Sequence, residues 1–384
     1  MAGTLEASAG AATSLSRSEL ERYRRHLALS EIGVAGQEKL KAARVLIVGA
    51  GGLGSPAALY LAAAGCGTLG LLDGDRVDLT NLQRQVLFDS ESLGQLKAEA
   101  GRERLAALNP EVRIIAHALE LRAANVRALF TQYDLVLDGT DRLSTRYLIN
   151  DACVILRRPL VSAAIHRFEG HLITYVPGRG PCYRCLFPQA MDGMVANCAE
   201  AGVLGVLPGV LGMLQATEAI KLITGVGEPL IGRLLTYDAL AMRFSEFRVA
   251  HRGDCAVCGA APTITEPEDM QSDAATPEGV RRLTAAALHE LLQRGEKPLL
   301  VDVREDAEWA AGHLPGALHI PLGELPQRLP GIASQADPVF MCRSGGRSMA
   351  ACQLALRANI RSPANLEGGL LAWAGTVDPS LRVL

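Results

Sequence analysis

The residues of this chain best suited to do chemistry are cysteines. Cys182-x-x-Cys185 and Cys255-x-x-Cys258 each offer two thiolates at chelating distance, and four such ligands are what tetrahedral structural Zn²⁺ favours. A redox dithiol is the competing reading, but it needs a pair at a helix start and leaves the second pair without purpose. A fifth cysteine lies in Met341-Cys342-Arg343-Ser344-Gly345-Gly346-Arg347-Ser348, after an apolar strand and before a helical pattern. Such a loop turns backbone N–H groups toward the sulfur, and Arg343, Arg347 and the helix start favour the thiolate, a nucleophile able to carry a persulfide. An inert core cysteine and a phosphatase loop are the alternatives. A phosphatase loop places five residues between cysteine and arginine; this one has four between Cys342 and Arg347, which suits sulfur better than phosphate. Cys66, Cys153 and Cys352 sit in apolar contexts and read as core. Cys198, in NCAEAG, reads by itself as a buried small apolar thiol.

A second set of residues suits phosphate. Gly49-Ala50-Gly51-Gly52-Leu53-Gly54 follows RVLIV and opens a helix, so backbone N–H groups can approach a phosphate at the positive helix end. Asp73 ends the next strand, where a carboxylate accepts from ribose hydroxyls of NAD and ATP alike. By themselves these features describe an NAD-dependent oxidoreductase equally well. Downstream, Asn81-Leu82-Gln83-Arg84-Gln85, Lys97 and Asp141 in DGTDR add two cations and a carboxylate. Each alone is an ordinary surface charge. At one sheet edge, Arg84 and Lys97 neutralise a triphosphate while Asp141 holds Mg²⁺, the equipment for attack at phosphorus.

The elements that must position these groups form an alternating series. Strands are expected at 44–48, 68–72, 112–117, 134–138 and 159–163, with helices at 54–65, 96–107, 123–130 and 143–155. This pattern specifies a doubly wound α/β domain with a mostly parallel sheet. A charged helix over 18–41 precedes the series; a helix at 208–224 and a strand at 234–238 follow it. The stretch Gly259–Pro277 is rich in Ala, Pro, Thr, Asp and Glu without periodicity and reads as a linker that leaves the second domain mobile. Beyond it the rhythm resumes with strands at 298–302 and 338–342 and helices at 284–294 and 346–357. The expected division is a tail over 1–16, a first domain over 17–258, a linker over 259–280 and a smaller α/β domain over 281–384.

Bulk properties bound the class. The 384 residues exceed one core, and 49% apolar with 21% charged residues describes a globular chain. A formal charge of −3 argues against a general nucleic-acid binder. The Ala/Gly/Ser-rich start lacks a basic n-region and an apolar run, so a cytoplasmic location is expected. The uncharged run Val45–Leu72 is broken by glycines and Pro56 and is not read as a membrane span.

Several motifs in order, RYRRHLALSEIGVAGQEKL (22–40), GAGGLGSPAALYLAAAGCGTLGLLDGDRVDLTNLQRQ (49–85), CYRC (182–185), NCAEAGVLG (197–205) and CAVC (255–258), resemble the MoeB/ThiF branch of the ubiquitin-activating-enzyme superfamily. The resemblance implies a Rossmann-like fold that adenylates, with ATP and Mg²⁺, the C-terminal glycine of a ubiquitin-like sulfur carrier ending in Gly-Gly. It assigns Gly49, Gly51, Gly52, Gly54, Asp73, Asp75, Asn81, Arg84, Lys97 and Asp141 to the nucleotide or its Mg²⁺. It matches Arg25 to an arginine that reaches the neighbouring subunit's ATP, hence a homodimer, and Cys198 to an acyl acceptor. Arg142 stands where the family usually has Asn, and His171 where FEGQ is common.

VDVREDAEWAAGHLPGALHIPL (301–322), CRSGGRS (342–348) and NLEGGLLAW (365–373) are similar to the motifs of a rhodanese domain, which implies that Cys342 carries sulfane sulfur. Asp302, Arg304, Glu308, Trp309 and His313 are expected to brace that loop. Joined in one chain, the two resemblances imply carrier adenylation followed by sulfur transfer from Cys342 to give a thiocarboxylate. The carrier implied is the small subunit of molybdopterin synthase, a MoaD-type protein, and the sulfur donor a cysteine desulfurase or thiosulfate. The alternatives are a ThiS-like or other carrier serving thiamine, cysteine or tRNA thiolation, and a ubiquitin-like conjugation activator that uses a Cys198 thioester.

Overall fold

The computed structural model describes residues 14–188, 202–270, 279–332 and 337–383. These form two compact units, one from the described residues up to Met270 and the other from Gly279 onward.

The first unit is built on eight strands: β1 (Arg44–Val48), β2 (Thr68–Leu72), β3 (Arg113–His117), β4 (Leu135–Asp138), β5 (Leu160–His166), β6 (Glu169–Tyr175), β7 (Arg233–Asp238) and β8 (Arg243–Arg248). Their order is β3-β2-β1-β4-β5-β6-β7-β8. The first five run parallel and the last three antiparallel. β1, β2 and β4 are almost wholly buried, as strands covered on both faces must be. Strand order reverses between β1 and β4, so the crevice at their carboxyl ends is the topological switch point where such sheets bind ligands. The glycine loop leaves β1 there and the Asp141 loop leaves β4.

Helix Leu207–Thr224 packs on helix Gly54–Ala63 closely enough that a Cβ on Gly212 would meet the Leu53 carbonyl and the Pro56 ring. That helix begins with Pro208 in its first turn and ends at Gly225, whose φ of +83° only glycine adopts without strain. One apolar cluster gathers these helices with Val45, Ile47, Leu69 and Leu71. The opposite face packs Val126, Phe130, Leu148 and Ile149 together with Cys182, Cys185 and Cys255.

The second unit is a five-stranded parallel sheet, order β11-β10-β12-β13-β9, formed by β9 (Arg281–Leu283), β10 (Leu300–Asp302), β11 (Leu318–His319), β12 (Val339–Met341) and β13 (Ala364–Leu366).

Three local expectations change. The helix expected over 18–41 is three, Arg17–Arg22, Arg24–Leu27 and Gly33–Ala42, because the chain turns at Tyr23 and again before Gly33, whose φ is +55°. β6 and β8 were not anticipated; β8 is largely exposed, so no buried face marks it in sequence. Residues 263–270 are fastened to the first unit, by Thr263 and Ile264 N–H to Ala256 O, Arg127 to Glu266, and Ala123 N–H to Asp269.

Candidate active sites

The glycine loop is a tight β-to-α turn. Gly49 has φ +89° and lies against Gly139 of the β4 loop; a Cβ on Gly54 would collide with the Gly49 carbonyl. Ala50 N–H donates to Asp73 Oδ2 and Asp75 N–H to Asp73 Oδ1, each at 2.9 Å. Burial pushes the Asp73 carboxyl above its ordinary value, against the pull of Lys97 and these two donors. Lys97, almost fully buried at a helix start, pairs with exposed Asp75 at 3.1 Å, and its N–H donates to the Asp75 carbonyl. Asn81 closes a short 3₁₀ turn, and Arg84 Nη1 donates to Thr80 O at 3.0 Å. The Arg84 stem lies 3.5 Å from where a Gly52 Cβ would sit. Gly49, Gly51, Gly52, Gly54, Asp73, Asp75, Arg84 and Lys97 therefore meet at one edge, joined by short contacts.

Asp141 reaches the same edge on a turn clamped from below. Buried Asp138 accepts from Arg146 Nε at 3.0 Å, Ser162 Oγ at 2.7 Å and Thr140 N at 3.0 Å. Arg146 Nη2 donates to Thr140 O and Ala163 O, and Gln215 Nε2 to Asp138 O. A buried carboxylate and guanidinium this fully hydrogen-bonded fix the turn while Asp141 stays exposed, free to face a cation. This Asp138–Arg146–Ser162 network carried no sequence signal of its own beyond the DGTDR motif. Arg142 pairs with Glu120 at 3.3 Å, and His171 is held neutral, down to about 4, by burial beside Arg146. Arg25 is exposed on helix Arg24–Leu27 and makes no ion pair among the described residues. Cys198 lies outside the described residues.

The four CxxC sulfurs converge. Their Sγ atoms lie within 4.8 Å of one another, with Cys182 and Cys255 at 3.7 Å and Cys185 and Cys258 at 3.4 Å. Four sulfurs at Zn–S distances of about 2.3 Å are spaced about 3.8 Å apart on a tetrahedron. Burial pushes the Cys182 thiol far up, with the neighbouring sulfurs adding to the rise, and brings Cys258 to about 12. Burial acts likewise on Cys255, but backbone N–H groups of Cys258 and Val257 and hydrogen bonds from the Cys258 and Cys182 thiols together outweigh it. A dication reverses this penalty by stabilising thiolates. Arg252 N–H points at Cys185 Sγ at 3.5 Å and Asn150 Nδ2 at Cys182 Sγ at 3.9 Å, the donors such thiolates need. All eight described cysteines are free. The residues fit a structural metal clip.

In the second unit Cys342 follows β12 and is fully buried. Gly345 N–H points at its sulfur at 3.1 Å and the Ser348 hydroxyl at 3.3 Å. Gly345, at φ +100°, caps helix Gly346–Arg357, so the helix start faces the sulfur. Arg347 makes two hydrogen bonds of 2.7 Å to Glu308, and Leu370 and Leu371 N–H groups grip the Cys342 and Arg343 carbonyls. Asp302 and Arg304 pair fully buried, Arg304 also donating to Gly312 O, and Trp309 stacks on His313 and on His319. The Ser348 donor was not singled out in sequence, although CRSGGRS contains it.

Two family models match: ThiF family over residues 23–257 and rhodanese-like domain over 284–376. A Mycobacterium tuberculosis protein named probable adenylyltransferase/sulfurtransferase MoeZ is 42% identical, covering 96% of each chain. An Anopheles gambiae protein named adenylyltransferase and sulfurtransferase MOCS3 is 43% identical over 97% of this chain and 90% of its own. Among solved structures, E. coli MccB with ATP aligns with a TM-score of 0.56 at 26% identity, over 64% of this chain and 75% of that one. No helix among the described residues is long and apolar enough to cross a membrane. The chain belongs to the ThiF family, carries a C-terminal rhodanese-like domain, and is an adenylyltransferase and sulfurtransferase.

Proposed function

We propose that the chain adenylates the C-terminal glycine of a ubiquitin-like sulfur carrier and then replaces the adenylate with sulfur carried on Cys342. The carrier proposed is the MoaD-type small subunit of molybdopterin synthase, the donor a cysteine desulfurase or thiosulfate, and the compartment the cytoplasm. The observation that carries the reading is that a triphosphate-type edge and a sulfur-cradling loop occur in one chain: glycine loop, Asp73, Lys97, Arg84 and Asp141 in the first, Cys342 with its N–H and hydroxyl donors in the second.

The chemistry follows from charge. A carboxylate is a poor acyl donor until AMP supplies a leaving group. Its oxygen attacks the α-phosphorus, the bond to the β-phosphate oxygen breaks, and pyrophosphate departs. Arg84 and Lys97 screen the repulsion between the two anions, and Asp141 is the ligand proposed for Mg²⁺, which supplies further charge neutralisation when bound. Arg25 is proposed to reach the phosphates of the neighbouring subunit's ATP in a homodimer. The terminal sulfur of a Cys342 persulfide then attacks the acyl carbon and AMP leaves, giving an acyl disulfide. A thiolate attacking the Cys342 sulfur breaks the S–S bond and releases the thiocarboxylate; the resulting disulfide on Cys342 is opened by a second thiol. Cys198 is the cysteine of this chain proposed to take part, as acyl acceptor or attacking thiol. Zn²⁺ on Cys182, Cys185, Cys255 and Cys258 is proposed as structural, with residues 17–258 housing adenylation and 281–384 sulfur transfer.

The test combines carrier-dependent ATP–pyrophosphate exchange with mass spectrometry of the carrier. Exchange with a Gly-Gly-ended carrier and replacement of its terminal carboxylate oxygen by sulfur are expected. Exchange without thiocarboxylate, and with carrier transferred to a lysine or cysteine of another protein, would overturn the sulfur-transfer half.

A further inference from the structure

Arg347 lies in the turn between Gly345 and Ser348, the residues whose N–H and hydroxyl reach the Cys342 sulfur at 3.1 and 3.3 Å. Both of those donors are neutral. The Arg347 guanidinium is turned toward helix Asp306–Ala311, where Nη1 and Nη2 each donate to one oxygen of Glu308 at 2.7 Å. Its side chain is 5% exposed and that of Glu308 14%. Burial works against the Glu308 charge, but hydrogen bonds from Arg347 and from Glu305 N–H keep the carboxyl below its ordinary value and ionised. The pair itself therefore carries no net charge, and the positive charge that the loop motif places beside the sulfur is matched before any substrate arrives. Arg304, the other arginine of this unit buried among the described residues, is matched in the same way by Asp302.

Sulfane donors divide by what leaves. Thiosulfate brings sulfonyl oxygens and a double negative charge, for which an arginine fork is the suited partner. An alkyl persulfide carries its charge on the sulfur to be transferred, and the N–H and hydroxyl already at Cys342 suffice for it. With the Arg347 fork filled by a carboxylate, the loop fits the second class. We infer that Glu308 is a specificity-determining residue of sulfur transfer: it withholds Arg347 from sulfonate-type donors and so favours an alkyl persulfide, as on a cysteine side chain of another protein. The inference rests on the role of Cys342 proposed above and chooses between the two donor chemistries named there. With either donor the Cys342 thiolate attacks the outer, sulfane sulfur and the donor's S–S bond breaks. Its electron pair leaves with sulfite or with the alkyl thiolate, and Cys342 keeps the persulfide.

The experiment follows persulfide formation on Cys342 of the full chain by alkylation and mass spectrometry, with thiosulfate and with 2-hydroxyethyl persulfide at increasing concentration. Wild type, Glu308→Gln, Arg347→Gln and the double variant are compared. Glu308→Gln is expected to lower the half-saturating thiosulfate concentration about tenfold, the value of a hydrogen bond to a charged group, and to raise the thiosulfate-to-persulfide ratio of second-order rate constants by as much. Glu308→Asp, milder for folding, is expected to shift the ratio the same way by a smaller factor. Arg347→Gln and the double variant are expected to lack the gain, because Glu308 acts through Arg347. A brace that only holds the loop would move both donors together. An unchanged or lower ratio in the folded Glu308 variants, or a gain that persists without Arg347, would overturn the inference alone. Wild type in which neither donor sulfurates Cys342 would overturn the sulfur-transfer reading with it.

Discussion

Cys342 is enclosed by donors from one short loop, Gly345 N–H and Ser348 Oγ, whereas Asp141 joins an edge drawn from four distant segments, the glycine loop, Asp73–Asp75, Asn81–Gln85 and Lys97. Both sites lie at carboxyl ends of parallel strands and both prepare for negative charge. They differ in what they are proposed to hold. A single sulfur fits inside one buried turn, so contiguous residues suffice. A triphosphate is long and polyanionic, so its cations must arrive from several segments of the chain, as half-buried Arg84 and almost fully buried Lys97 do. Compactness thus goes with a small, covalently attached ligand, and dispersal with a large, exchangeable one.

The sharpest way to break this comparison is to disable each site alone. Asp141→Ala is expected to abolish carrier-dependent ATP–pyrophosphate exchange, a loss of about 10²–10³ or more, while thiosulfate:cyanide sulfurtransferase activity stays at the wild-type level. Cys342→Ala is expected to do the reverse. Exchange retained in Asp141→Ala would remove that carboxylate from the chemistry, and loss of both activities in either variant would mean the sites do not act separately.

The same difference decided how much was legible in sequence. CRSGGRS could be read directly because the donors to Cys342 are its own neighbours, and the glycine loop because it sits between a buried strand and a helix. The doubled CxxC pairs were legible because their spacing is the signal, and the structure brings all four sulfurs together. Asn81, Arg84 and Lys97 taken singly are ordinary surface residues, and only their company with the glycine loop and Asp141, and then a family resemblance, joins them. Asp138, Arg146 and Ser162 were out of reach, since a buried network is defined by partners on three different elements. β8 was missed because an exposed edge strand lacks an apolar face. The one long helix expected at the N-terminus failed where turns at Tyr23 and before Gly33 interrupt continuous charge and polarity.

A smaller effect separates the units by stability. Cys255→Ala leaves three thiols where a metal needs four, and it is expected to release zinc, measured with a chromogenic chelator, and to lower the melting temperature of the first unit. The chain has two tryptophans, Trp309 and Trp373, both in the second unit, so tryptophan fluorescence reports that unit specifically. Its transition is expected to stay in place when zinc is lost. A metal-free protein of full stability would sink the structural role, and a joint shift of both transitions would show that the units are not independent in folding.

The smallest effect probes the brace of the sulfur loop. Burial alone would raise the Glu308 carboxyl, but its hydrogen bonds from Arg347 and from Glu305 N–H hold it below the ordinary value. A carboxyl depressed in the folded state stabilises the fold above its unfolded pKa and loses that contribution as pH falls through the folded value. Glu308→Gln keeps the shape and removes the charge. At pH 7 it is expected to destabilise the second unit by roughly 1–3 kcal/mol, read from tryptophan fluorescence in urea, with the gap to wild type closing below about pH 4.5. A gap unchanged by acid would show that shape, and not the ion pair, holds Arg347. Because Glu308 and Arg347 both belong to the second unit, ATP binding at the glycine loop is expected not to change in the same variant.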